Sequence, residues 1–191
     1  MKKIILLLLV TVYLGLAGNL YAQNADTDTG RKEMYLGASL QAYPAGFIPT
    51  LTFEPYLTEN TSLLFRLGAN ITDRQDFSDE NDEEEGEGFG GSVGFRKYYP
   101  QKKGKIVAGI HLDAWNLWID WKDNGNVGDT YIFVLQPWLE GGYYFDLKNS
   151  KSKLGITAGF GREINVITSG DDVAQDWIAS IMVHYQFSLT K

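Results

Sequence analysis

Nine ionisable side chains recur where a period-two pattern would put them on one face of their segments: Glu54, Arg66, Arg96, His111, Asp113, Glu140, Asp146, Glu163 and His184. Histidine beside a carboxylate would suit hydrolase chemistry, which also needs a nucleophile. Spacing narrows this. His111 and Asp113 are two apart and so project from one side of an extended strand. Ser180 and His184 share a face too, but four positions of about 3.3 Å each put them about 13 Å apart. A hydroxyl nucleophile needs its base within hydrogen-bond reach. No Ser-His-Asp relay emerges, and catalysis is not expected. Charges gathered on one hidden face must instead be paired, because an isolated buried ion carries a desolvation penalty of several kcal/mol. The expectation is a salt-bridge network in which Arg66 and Arg96 serve the carboxylates. Two arginines leave acids to spare, which would meet trapped water or take up protons.

Two further motifs invite chemistry and lose it on inspection. The run Asp79 to Glu87 holds seven acidic residues, yet Glu84 stands where a calcium-binding EF-hand loop needs its glycine. Loose divalent cations are the most it would hold, and no specific metal or cofactor is expected. Gly86-Glu87-Gly88-Phe89-Gly90-Gly91 matches the dinucleotide fingerprint in form. No strand precedes it, no helix follows it, and the acids beside it would repel phosphate. The 191 residues carry a formal charge of −7 and no cysteine. Nucleic acid is thus not an expected partner, and neither disulfides nor thiol chemistry are available.

The elements that must position these residues read as strands. Eight segments alternate: Met34 to Tyr43, Phe47 to Leu57, Ser62 to Thr72, Phe89 to Tyr99, Ile106 to Trp118, Tyr131 to Phe145, Leu154 to Val166 and Trp177 to Leu189. Most have the length of about 10 residues that a tilted membrane-crossing strand needs. One face is apolar, as in Leu63, Phe65, Leu67, Ala69 and Ile71; the other carries charges, amides, hydroxyls and glycines, as in Arg66, Gly68 and Asn70. A soluble barrel would turn the apolar face inward, whereas a membrane barrel turns it outward. Glycines on the polar face favour the second, since a narrow lumen is crowded: Gly155, Gly159 and Gly161 would leave a soluble surface poorly protected. The fold expected is all-β, a closed antiparallel transmembrane β-barrel of about eight strands, its lumen just wide enough for side chains.

The links orient it. Thr58 to Thr61, Pro100 to Lys105 and Leu147 to Lys153 are short or basic, whereas Asp73 to Gly88, Trp121 to Thr130 and Thr168 to Asp176 are longer and mostly acidic, which suits external loops. Pro44 to Gly46 is tight. An aromatic girdle follows at the two interfaces, with Tyr99, Tyr143, Phe145, Tyr185 and Phe187 at the inner rim and Phe47, Trp118, Tyr131, Phe133 and Trp177 at the outer.

Residues 1–22 form a basic start, an apolar stretch and a small residue at Ala22, the pattern of a cleaved secretory signal peptide. The apolar run is shorter than the ~20 residues that span a bilayer, so a retained anchor is the weaker reading. Cleavage would leave 15 basic against 24 acidic residues, with 23–32 a disordered periplasmic lead-in and 33–191 the barrel.

Leader, eight alternating strands, short inner turns and an aromatic-rich last strand together resemble the small bacterial outer-membrane β-barrel families, of the OmpX type and the OmpA membrane domain. The resemblance is architectural and covers nearly the whole of 23–191. It implies residence in the outer membrane among lipid and lipopolysaccharide, insertion by the outer-membrane assembly machinery, and a structural or surface-interaction role for the acidic external loops. A narrow transport pore or a lipid-modifying surface enzyme is the alternative. Such families often end on an aromatic residue; here Phe187 is followed by Ser188-Leu189-Thr190-Lys191.

Overall fold

The computed structural model describes residues 33–75, 81–147 and 151–190; the expected signal peptide and lead-in lie outside them. Nine strands occupy these residues: β1 (Met34–Tyr43), β2 (Gly46–Thr58), β3 (Thr61–Gln75), β4 (Glu83–Gln101), β5 (Gly104–Asp123), β6 (Asn126–Asp146), β7 (Ser152–Arg162), β8 (Ile164–Ser169) and β9 (Trp177–Ser188). β7 and β8 are two halves of one strand broken at Glu163, both pairing with β6. From β1 to β7 each strand pairs antiparallel with the next, β7 pairs with β9, and β9 pairs with β1, so the ring closes on eight strands.

Closure removes every long sheet edge within the ring, and the twofold repeat of side chains then decides inside from outside. In β1, Tyr35, Gly37, Ser39 and Gln41 are buried while Leu36, Ala38 and Leu40 are exposed. The same holds round the ring: Leu51 is 70% exposed, Leu67 71% and Ile181 63%, whereas Arg66 is 1%. The apolar face points out. A water-soluble sheet so arranged would expose a continuous apolar belt, which only hydrocarbon can satisfy.

The belt has the height of a bilayer. On the outer face of β4, Phe89, Gly91, Val93 and Phe95 lie between the exposed charges Glu87 and Lys97. Ten residues at about 3.3 Å, tilted by about 40°, rise about 25 Å, the usual apolar band of such barrels. The register carries the upper boundary to the two strands beside β4, where Glu87 pairs with Ile71 and with Trp118. All ten residues expected in the girdle lie on this outer face and are exposed or half-buried.

Above that boundary the structure departs from expectation. Asp73 to Gly88 is no long acidic loop, because β3 runs to Gln75 and β4 starts at Glu83, pairing in register up to Gln75 with Glu83. Glu83 to Glu87 are strand residues, alternately facing in and out. The segment Trp121 to Thr130 is likewise strand apart from Asn124-Gly125, a two-residue turn. Both turn residues have positive φ, 47° and 86°, the conformation of a type I′ hairpin, which asparagine and glycine adopt most readily. A charge run suggested solvated coil, but pairing on both sides overrides low strand propensity. β3 to β6 therefore rise past the membrane as stiff sheet.

Gly125 provides a test of that turn. A Cβ there would meet nothing within 4 Å, so Gly125→Val should cost only the left-handed backbone penalty, about 1–2 kcal/mol. Amide exchange of residues 119–130 should quicken while the membrane-embedded strands stay protected. Uniform exchange across the barrel would contradict a locally set hairpin.

Candidate functional site

Inward-facing residues stack in tiers along the lumen. At the inner mouth, Tyr35, Tyr56, Tyr98, Tyr144 and Val107 form a buried cluster. The Lys153 ammonium sits 3.4 Å from the Tyr35 ring centroid and donates to the Tyr56 hydroxyl at 2.9 Å. Aromatic faces replace part of the water an ammonium loses on burial.

Above it lies a tier of charges. Arg96 makes a two-pronged contact with Glu140, Nε to Oε2 at 2.7 Å and Nη2 to Oε1 at 2.6 Å, and Nη1 reaches Tyr144 at 2.7 Å and Glu54 at 3.3 Å. Glu54 also accepts from Ser62 and Tyr98, each at 2.5 Å, and from Gln186 at 2.6 Å. His111 Nε2 meets Glu140 at 2.9 Å and its ring stacks on Trp138, centroids 4.0 Å apart. Gly94 makes room for that ring: a Cβ there would stand 2.0 Å from His111 Nδ1.

One level higher, Arg66 donates to Asp113 at 2.6 Å and to Gln41 at 2.9 Å, and Trp138 Nε1 donates to Asp113 at 2.7 Å. Then the character changes. Ile48, Trp115, Leu117, Ile119, Ile132, Val134 and Val173 fill the outer half with apolar side chains. At the rim, Arg74 grips both Glu163 oxygens at 2.9 and 2.8 Å and reaches Glu84 at 3.2 Å. Burial disfavours the Arg74 cation, but Glu163 and then Glu84 outweigh it and raise its pKa.

Eight of the nine residues singled out by sequence are thus buried and face inward, Glu163 at the outer rim away from the central tiers. Asp146 is the exception: it closes β6 beyond the tyrosine cluster and is exposed. Sequence reasoning missed Arg74, placed in a supposed loop, and Lys153, placed in a turn; both supply cations that Arg66 and Arg96 alone could not. Arg74 continues the inward sequence from Arg66 through Gly68, Asn70 and Thr72, a period-two signal that runs past the expected end of β3.

Among the described residues the geometry assembles no catalytic relay from these groups. His184 Nε2 contacts both Thr157, at 3.0 Å, and Glu140, at 3.5 Å. A relay needs hydroxyl and carboxylate on opposite ring nitrogens. Asp113 serves Arg66 and Trp138 rather than His111. Among the described residues, no group of three or more His, Cys, Asp or Glu is arranged to hold a metal ion. On the outer face of the extension, Glu85, Asp120 and Asp129 oppose one another across three strands, while Lys122 pairs with Glu83 at 2.6 Å.

No protein-family model matches this chain, and no curated protein matches it in sequence. Its fold is similar to that of Neisserial surface protein A, with a TM-score of 0.51 at 8% identity over 82% of this chain and 94% of that one. It is also similar to a major outer membrane protein from Thermus thermophilus, with a TM-score of 0.54 at 14% identity over 84% of this chain and all of the other. At such identities the likeness carries the fold alone. Ring closure on eight strands, an exposed apolar belt of bilayer height and these likenesses together make the chain a small β-barrel of the bacterial outer-membrane type.

Proposed function

We propose that this barrel has a sealed lumen and acts through what it holds above the membrane, as a structural or surface-interaction protein. One observation carries the reading: ion pairs, tyrosines and apolar side chains occupy successive tiers of the lumen, while β3 to β6 continue outward as paired sheet bearing exposed acids. A transport pore needs a continuous polar path, and Arg66, Arg96, Tyr98, Tyr144 and Trp115, each at most 1% exposed, stand across it. Stiff strands present side chains in fixed register at little entropic cost, an advantage for recognition over a coil of the same charge. Lipid and lipopolysaccharide surround the belt in this reading, and insertion falls to the outer-membrane assembly machinery.

Purified, refolded barrel in planar bilayers should show no stable conductance steps, and unboiled samples should migrate differently from boiled ones on gels. Stable single-channel openings would overturn the sealed lumen. A soluble product with mobility indifferent to boiling would overturn the barrel itself.

A further inference from the structure

The outer half of the lumen is apolar, unlike the tiers beneath, and one of the side chains filling it comes from outside the ring. Val173, 4% exposed, packs with Ile48, Trp115, Leu117, Ile119, Ile132 and Val134. It belongs to the segment 170–176 joining β8 to β9, whose other side chains are exposed or, for Ala174, half-buried. That segment is held over the lumen largely through its backbone. Ala174 O accepts from Arg74 at 2.8 Å and Ala174 N donates to Glu84 at 3.1 Å. Asp171 O accepts from Thr130 at 3.0 Å and Val173 O from Asn165 at 3.1 Å. Beneath Val173 the Arg66, Asp113 and Trp138 tier forms a polar floor. Within the apolar cluster, Trp115 is fully buried and its Nε1 has no hydrogen-bond partner among the described residues, although a buried indole N–H ordinarily finds one.

We infer that the outer lumen is a binding site for a small apolar molecule carrying one hydrogen-bond acceptor, entered from the outside face when segment 170–176 lifts and Val173 withdraws. Val173 occupies the site as a stand-in made of a single small side chain, so displacing it gives up little buried area. An apolar wall carrying a buried, unmet donor is the usual composition of a small-molecule pocket, and Trp121 Nε1, packed beside the cluster, is a second such donor among the described residues. Trp115 Nε1 would donate to a carbonyl or ether oxygen of the ligand. The arrangement leaves the inner tiers closed, so the barrel would capture such a molecule without passing it through.

The test uses the full folded barrel in lipid nanodiscs, in a Trp118→Phe, Trp177→Phe background that removes the two tryptophans exposed on the outer face. Remaining indole fluorescence then comes from inward-facing Trp115, Trp121 and Trp138. Para-bromoacetophenone, a small aromatic ketone whose bromine quenches indoles, should quench saturably. Val173→Gly should tighten binding about tenfold by removing the competing plug; Val173→Ala, a milder change, should move it the same way. Trp115→Phe, followed through Trp121, should abolish any preference for the ketone over para-bromotoluene, which lacks the acceptor. Quenching linear in probe and equal in all variants, or saturable quenching indifferent to Val173, would overturn the site. Bilayer conductance should stay silent in every variant, so failure here is distinct from failure of the sealed-lumen reading.

Discussion

Replacing Arg96 by methionine should destabilise the barrel by about 3–5 kcal/mol, the cost of leaving buried carboxylates without their cation. Glu140 loses both prongs of its contact and Glu54 loses its guanidinium partner, at 3.3 Å. All three side chains are fully buried, so water cannot compensate as it would at a surface. Arg96→Lys should recover only part of the loss, since an ammonium cannot match the planar fork that meets two carboxylate oxygens. The diagnostic variant is the triple change Arg96→Met, Glu140→Gln, Glu54→Gln. It removes all three charges together and should regain most of the stability, because the penalty lies in the unpaired ion rather than in lost attraction. Urea unfolding of refolded barrel in vesicles would measure each. A loss below about 1 kcal/mol for Arg96→Met, or no recovery in the triple variant, would show that these charges are not paired in the folded lumen.

Period-two alternation made much of the ring legible, because a closed membrane barrel leaves each side chain only two choices, lipid or lumen. Residues such as Leu67 and Arg66 declare their side by chemistry alone. What escaped was governed by pairing rather than by composition. Glu83 to Glu87 looked like coil because like charges repel, yet β3 and β5 supply hydrogen-bond partners on both edges; Glu84 turns inward to Arg74 and Asn81, while Glu83, Glu85 and Glu87 face out, Glu83 onto Lys122. Asn124-Gly125 did carry a hairpin signal, hidden by the charges around it. The apolar outer lumen was illegible for a different reason. Trp115, Leu117 and Ile119 occupy inward positions continuing from His111 and Asp113, but an apolar residue on a polar face looks like the end of a strand unless the segment 170–176 that covers it is known. Likewise Asp146 has lumenal parity and sits past the end of the lumen, a matter of strand height that alternation does not encode.

Leu67→Arg should cost about 2–4 kcal/mol although Leu67 is 71% exposed, and this contradiction with ordinary surface behaviour is what makes it decisive. On a soluble protein, a change at so exposed a position would fall within about 0.5 kcal/mol. Here its register neighbours are Leu51 and Gly91, and Gly91 lies between the boundary charges Glu87 and Lys97, so the new guanidinium would stand near mid-bilayer. Ile71→Arg, in the same row as Glu87, should cost about 0–1 kcal/mol because the interface hydrates it. On the lumen side, Ser39→Ala removes the 2.6 Å hydrogen bond to Thr50 and should cost about 1 kcal/mol without any dependence on lipid. Unfolding in vesicles of two acyl-chain lengths separates these effects, since a thicker hydrocarbon layer should deepen the Leu67→Arg penalty and leave Ser39→Ala unchanged. If Leu67→Arg and Ile71→Arg proved equally mild, the apolar belt would not be in contact with hydrocarbon, and the outward assignment of that face would fail.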